Sequence, residues 1–204
     1  MQCKDGGWAA FDVNNEMNLL NQVPFADHGA MLDPPTVDVS GRVLWLLART
    51  GFKKNHPQVN KVIDFIKDNQ ESDGSWWGRW GVNYIYGSWL ALTGLYSIGE
   101  DMSQSYVRRA MKWYYDHQNA DGGWGETCES YKNPLLTGKG DSTASQTAWA
   151  VMAMIAGGEV DKIAVKRGVE FLLNRQQDFG SWYEDEFTGT GFPIHFFIKY
   201  HMYQ

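Results

Sequence analysis

A glutamine followed six residues later by a tryptophan, with glycine between them, occurs four times: Gln2 to Trp8 (QCKDGGW), Gln70 to Trp76 (QESDGSW), Gln118 to Trp124 (QNADGGW) and Gln176 to Trp182 (QQDFGSW). A recurring unit points to a repeat architecture before any single residue is interpreted. Three copies follow apolar residues at helical spacing: Val62, Phe65 and Ile66, then Ala110, Trp113 and Tyr114, then Val169, Phe171 and Leu172. The Asp-Gly or Phe-Gly that comes next breaks the pattern, so each motif is expected where a helix stops. A Gln amide offers two donors and an acceptor, which suits it to the open backbone groups of a helix end while the Trp covers the junction. The motif is thus expected to act as a clasp between repeats, a scaffolding role.

Between the motifs, helices alternate in character. Pro35-Thr36 to Thr50 is mostly apolar and stops at Gly51, and Pro57 to Gln70 is amphipathic. Tyr84 to Ile98 is uncharged and stops at Gly99, whereas Ser103 to Gln118 carries Arg108, Arg109, Lys112 and Asp116. Thr143 to Ala156 is uncharged and stops at Gly157-Gly158, whereas Asp161 to Gln176 is charged. A helix that is apolar all round must be enclosed, and an amphipathic one can face water. Inner and outer helices should therefore alternate, at a repeat of roughly 50 to 70 residues, giving an all-α fold: an α/α toroid or part of one. Phe192 to Tyr203 is expected to be a further inner helix, with Phe192, Phe196, Tyr200 and Tyr203 on one stripe. No strand pattern is evident. Residues 9–35 and 121–142 are long loops following motifs, and loops of that length usually carry function.

The formal charge of −6, without a run of Lys or Arg, argues against a nucleic-acid partner. Cys3 and Cys128 form neither a disulfide framework nor a thiol motif. No signal peptide is recognisable, and no apolar run reaches the roughly 18 residues of a spanning helix, so any membrane contact is expected at the surface. The chain opens inside a repeat, with no helix before Gln2, which reads as a fragment of a longer protein whose cut edges would expose apolar faces and favour self-association.

Phosphate-loop, His-Glu-x-x-His and Gly-x-Ser-x-Gly signatures do not occur. The acidic run Glu184-Asp185-Glu186 reads as solvated surface. Glu126-x-Cys128 with the distant His195 resembles the zinc-ligand order of protein prenyltransferase β subunits, themselves α/α toroids, and stands as an alternative. A non-catalytic lipid-binding scaffold is another. The richest constellation is aromatic: residues 76–87 (WWGRWGVNYIYG) and 188–193 (TGTGFP). Rings on an inner helix of a toroid face a central space, and their negative faces stabilise a carbocation without capturing it as an oxygen nucleophile would.

At these residues the chain resembles the bacterial squalene-hopene cyclase family. The four motifs are similar to that family's QW repeats, residues 167–182 being the fullest copy. More specific are Lys4 to Trp8, Asp33-Pro34-Pro35, Gly78 to Tyr84, Ser145 to Ala150 and Gly189 to Pro193. The resemblance spans essentially the whole chain. It implies a membrane-associated, cytoplasmic-side monotopic enzyme, without metal or other cofactor, that folds a linear polyprenoid, protonates a terminal double bond and guides the cation through ring closures. By motif, it implies that Trp80 and Tyr86 are active-site aromatics, that Phe192, Phe196 and Tyr200 flank the later cationic centres, and that Tyr203 shapes the pocket. Phe11 matches a position where the family can carry an active-site Tyr, and Asp38 falls among residues supporting the catalytic acid. Arg42 stands where hopene-forming members usually have a His. That departure, with Ile194-His195 and Lys199-Tyr200-His201, resembles the cyclases of spore-forming bacteria that act on tetraprenyl-β-curcumene as well as squalene. The family's Asp-x-Asp-Asp acid motif does not occur in these residues, so the chain alone is expected to be inactive and to be the C-terminal part of a larger cyclase, with a homodimer left open.

Overall fold

A computed structural model describes residues 1–17, 19, 22, 31–192 and 195–199. Six α-helices are formed among them: α1 (Val37–Arg49), α2 (Pro57–Asp68), α3 (Tyr84–Ile98), α4 (Ser105–Asp116), α5 (Ala144–Ala156) and α6 (Ile163–Arg175). All six lie within the segments expected from apolar spacing and glycine stops.

The mostly apolar α1 and the uncharged α3 and α5 pack in a row, and the amphipathic α2 and α6 pack against α1 and α5. The apolar stripes of the outer helices supply much of the core: Val59, Val62, Ile63 and Ile66 of α2, and Val107, Ala110, Met111 and Tyr114 of α4. Alternation of inner and outer helices thus follows from which helices can tolerate water on one side. The inner row meets backbone to backbone. A Cβ on Gly41 of α1 would lie 2.3 Å from the Leu90 carbonyl oxygen of α3, and one on Gly94 would lie 2.6 Å from the Gly41 oxygen. No other residue permits that approach.

The Gln-to-Trp motifs share one repeated structure, complete in the copies at Gln70 and Gln118, and it differs from the expected clasp in which group serves which helix. Gln118 Nε2 donates to the Gly122 carbonyl at 2.8 Å and to the Ala164 carbonyl in the first turn of the next outer helix at 2.8 Å. Gln70 does the same with Gly74 and Tyr106, and Gln2 with Gly6 and Gln58. The open carbonyls at the end of the preceding outer helix are served by the indoles instead: Trp76 Nε1 donates to Ile66, Trp124 Nε1 to Tyr114 and Trp182 Nε1 to Leu172. The motif therefore joins the end of one outer helix to the start of the next. Replacing Gln118 by Ala removes both bonds and is expected to cost about 2 kcal/mol, a fall of roughly 4 to 8 °C in Tm for a chain of this size. An unchanged melting curve would rule out the clasp.

The expected helix from Phe192 to Tyr203 is not formed over the described residues. Gly189–Phe192 (β1) and Phe196–Ile198 (β2) make a two-stranded antiparallel hairpin, which corrects both the helix and the expectation of no strand. The hairpin is set by pairing outside itself: Val82 N donates to Thr188 O at 2.9 Å, Thr190 N to Trp80 O at 3.3 Å, and Gly81 bridges Gly189. Glycine at 189 and 191, with aromatic residues around them, suits an extended segment better than a helix. Phe192 and Phe196 accordingly face each other across the hairpin instead of sharing a helical stripe, with ring centroids 5.5 Å apart. Tyr200 and Tyr203 lie outside the described residues.

Candidate active site

Five residues singled out in the sequence converge. Phe11, Asp38, Arg42, Trp80 and Tyr86, with Ala10 and Val39, line one cavity of about 290 Å³ at the N-terminal ends of α1 and α3. Phe11 meets Trp80 edge to face, with centroids 6.0 Å apart. Behind Tyr86 stand two further rings: Trp149 at 5.0 Å and Trp89 at 5.7 Å, themselves stacked at 5.6 Å. The Arg42 guanidinium lies 5.1 Å above Trp89, and that of Arg79 lies 5.6 Å from Trp80. Phe192 and Phe196 sit on the hairpin that pairs with the Trp80 backbone and are not among the residues lining this cavity.

Why do loops hold rings in place here? Each is anchored by a buried polar side chain from elsewhere in the chain. The Asp33 carboxylate accepts the N–H groups of Ala10, Phe11 and Asp12. Asp38 Oδ2 accepts those of Arg79 and Trp80, both at 2.9 Å. Tyr131 holds the same loop from the other side, its hydroxyl 2.7 Å from Gly78 O and 2.8 Å from Gly81 O. Glu126 Oε2 accepts from Asn83 N at 3.2 Å and Ile85 N at 3.0 Å, capping α3, whose own Asn83 side chain makes no capping bond. Gln146 Nε2 ties Val82 O at 3.0 Å to Glu126 O at 3.1 Å. Glu184, read from sequence as surface, is buried and accepts from the N–H and the hydroxyl of Ser145 at the start of α5, both at 2.8 Å. Carboxylates at helix starts face the positive end of the dipole, which offsets part of their burial.

Burial shapes the titration of two of these acids. Desolvation raises Asp38 above the ordinary carboxylate range, partly offset by the Thr36 hydroxyl and the N–H groups of Trp80, Val39 and Arg79. Desolvation likewise pushes Glu126 up to about 7, against the pull of the N–H groups of Ile85, Gly138 and Asn83 and the Ser130 hydroxyl. Asp33, Glu126, Gln146, Glu184 and Tyr131 carried no signal in the sequence that marked them as organisers of the cavity. The three acids sit in loops, and only the fold shows them enclosed.

The zinc alternative finds no geometric support. Glu126 is committed to the α3 start, Cys128 Sγ contacts the Phe187 carbonyl at 3.3 Å, and no group of three His, Cys, Asp or Glu side chains is placed to hold a metal ion among the described residues.

The family model for the squalene-hopene cyclase C-terminal domain matches residues 1–204. The chain belongs to the squalene-hopene cyclase family. It is 47% identical to the squalene-hopene cyclase of Zymomonas mobilis over its whole length and 31% of the relative's, and 49% identical to that of Bradyrhizobium diazoefficiens, again over its whole length and 31% of the relative's. A dammaradiene synthase of Dryopteris crassirhizoma is 43% identical, covering all of this chain and 33% of its own. The chain therefore spans about a third of the length of these relatives. Among solved structures, the type II terpene cyclase MstE from Scytonema superposes with a TM-score of 0.65 at 20% identity, over 94% of this chain and 50% of that one. The ent-copalyl diphosphate synthase of Streptomyces platensis gives 0.59 at 20% identity, over 91% and 32%. These likenesses show the fold: helices packed in succession as in terpene cyclases.

Proposed function

We propose that residues 1–204 form one domain, part of an α/α toroid built on QW repeats, and that they supply the C-terminal part of the cavity in which a longer polypeptide cyclises a linear polyprenoid. The observation that carries this reading is the convergence of Phe11, Trp80 and Tyr86 with Asp38 and Arg42 on one cavity, backed by Trp89 and Trp149. In the reaction, a proton adds to the terminal double bond, the remaining π bonds close successive rings, and a proton is lost or water adds to end the sequence. The chain's part is to hold ring faces where positive charge builds up and to keep oxygen nucleophiles away from it. Trp80 and Tyr86 serve as active-site aromatics and Phe192 and Phe196 flank the later cationic centres; by motif, Tyr200 shares the latter role and Tyr203 shapes the pocket, both outside the described residues. Asp38 and Arg42 support an acid contributed from outside these residues, so the chain alone is expected to give no polycyclic product.

The substrate is squalene or tetraprenyl-β-curcumene. A lipid of this kind is delivered from a membrane, and the reading takes the cytoplasmic side as the place of attachment; that the attachment is peripheral fits two features. Among the described residues no helix is long and apolar enough to cross a bilayer, and Phe11, Met17, Leu19 and Met31 expose apolar side chains on one loop segment. No nucleic acid, metal or other cofactor enters this reading, and a homodimer is compatible with it.

The test is to give the longer polypeptide each of the two substrates and identify the products. A cyclised product is expected from at least one. Trp80→Ala is expected to slow turnover by tens of fold, about 2 kcal/mol of lost cation–π stabilisation, while Trp80→Phe retains most of the rate. Absence of product from both substrates, or a Trp80→Ala variant as fast as the parent, would refute the proposal.

A further inference from the structure

Arginines on the outer helices are tied to oxygen atoms. Arg108 pairs with Glu159 and donates to the Gly157 carbonyl, Arg109 donates to the Gln70 side chain, and Arg167 donates to the Ala120 carbonyl. Arg42, on the inner helix α1, is held differently. Among the described residues no hydrogen bond or ion pair reaches its guanidinium, which lies 5.1 Å above the ring of Trp89. The side chain is exposed and borders two spaces: the cavity of the candidate site, and a neighbouring one of about 230 Å³ that Trp45, Trp89, Thr93 and Met152 help to line. A long side chain with room on either side has many poses, and the attraction of the negative indole face selects one.

Trp89 is itself fixed. It stacks on Trp149 of α5, with planes 5° and centroids 5.6 Å apart, and Trp149 is only 3% exposed. The glycine seam brings the cation to the ring. Gly41, which precedes Arg42, lies against the carbonyl of Leu90, which follows Trp89, so the main chains set the guanidinium stem beside the indole. Stacking uses the face of a guanidinium and leaves its N–H edge free, and that edge is the part that matches a carboxylate in a bidentate manner.

We propose that Trp89 is a positioning residue: its indole, seated on Trp149, holds Arg42 in the pose in which the free guanidinium edge meets the acid contributed from outside residues 1–204. This rests on the cyclisation reading, in which Arg42 supports that acid. Trp89 acts without lining the cavity that Phe11, Trp80 and Tyr86 share. Its ring also meets Tyr86 at 5.7 Å, a second route to the site that the variants below separate from the first.

The test is a double-mutant cycle in the longer polypeptide, with kcat and KM for cyclisation measured well below the lowest Tm of the set. Trp89→Met keeps an apolar side chain and removes the π face, and Arg42→Lys keeps the charge and removes the planar group that stacks. Trp89→Met is expected to lower kcat about ten-fold, the rate equivalent of a half-enclosed cation–π contact, with KM within about two-fold of the parent. Trp89→Phe, which restores a ring face, is expected to come back to within about three-fold of the parent. Arg42→Lys should lower kcat by a factor similar to that of Trp89→Met, and combining the two should cost little more, because the contact is already gone. If Trp89→Met does not fold, Trp89→Phe and Arg42→Lys make the same cycle with a smaller step, which must vanish beside Arg42→Lys. A Trp89→Met variant as fast as the parent, a Trp89→Phe variant as slow as Trp89→Met, or losses that multiply in the double variant would each overturn the positioning role, the last by assigning the effect to Tyr86 or to packing. In those cases product from the parent leaves the cyclisation reading standing, whereas no product from the parent with either substrate ends that reading and this proposal with it.

Discussion

Trp124→Ala is expected to destabilise the chain by about 4 kcal/mol, lowering Tm by roughly 10 °C, the range seen when a fully buried aromatic side chain is removed. The ring is completely enclosed, its Nε1 donates to Tyr114 O at 2.8 Å, and it lies against Gly168 of α6, where a Cβ would approach within 2.8 Å of it. Deleting it opens a cavity between two outer helices and frees a carbonyl at the end of α4. Trp182→Ala is the matched control. It removes the same bond to an outer-helix carbonyl from a half-buried ring, so its cost should be about a quarter as large. Urea titration of both variants measures the contrast, and equal losses would mean that the motif's stability is local and owes little to the following helix.

Glu126 gives the second large effect, one that depends on pH. Its carboxyl is raised to about 7 by burial, above the ordinary 4.5 it takes in an unfolded chain. The folded state therefore holds the proton more tightly. That contribution to stability is fully present below about pH 4.5 and is lost as pH rises through 7, to a total of about 3 kcal/mol. Glu126→Gln keeps a carbonyl for the N–H groups of Asn83 and Ile85 but cannot ionise. Relative to that variant, the parent should match in stability near pH 4.5 and fall progressively behind up to pH 8. Asp38, also raised by burial, acts in the same direction, and taking the difference from Glu126→Gln removes its share. Glu126→Ala should cost about 3 kcal/mol even at pH 5, since it strands two buried N–H groups at the start of α3. Urea denaturation at pH 5, 6, 7 and 8 reads all three proteins, and a parent-to-Gln difference independent of pH would exclude ionisation of Glu126 as the cause.

The six helices were legible because each carries its own local evidence: apolar residues at helical spacing, ended by Gly51, Gly99 or Gly157-Gly158. Inner and outer placement was legible from charge for α3 to α6 and from apolar content for α1 and α2. The hairpin was not, since Phe192 and Phe196 fit one helical stripe as well as they fit two facing strands, and the deciding bonds come from Trp80 and Val82, more than a hundred residues earlier. The clasp was half legible: the motif marked the junction, but the exchange of tasks between amide and indole depends on where the next helix begins. Of the candidate site, Phe11, Asp38, Arg42, Trp80 and Tyr86 were named through motif resemblance, and the fold gathers them. Asp33 and Glu126 were named without this anchoring role, and Glu184 was read as surface, because an acid in a loop carries no mark of burial until a neighbouring repeat covers it. Glu184 in particular looked like surface beside Asp185 and Glu186, which are both exposed, and it is the bonds from Ser145 at the start of α5 that hold it inward.

The glycine seam between α1 and α3 has a bearing on the dimensions of the hollow those helices border. Main chains already in touch at Gly41 and Gly94 cannot slide nearer to one another, so a smaller residue at Trp89 or Tyr86 leaves a vacancy that the scaffold has no means of shrinking. The bore is consequently set by backbone and trimmed by side chains, which lets single exchanges along the wall change the contour offered to a bound chain while the frame around it keeps its gauge.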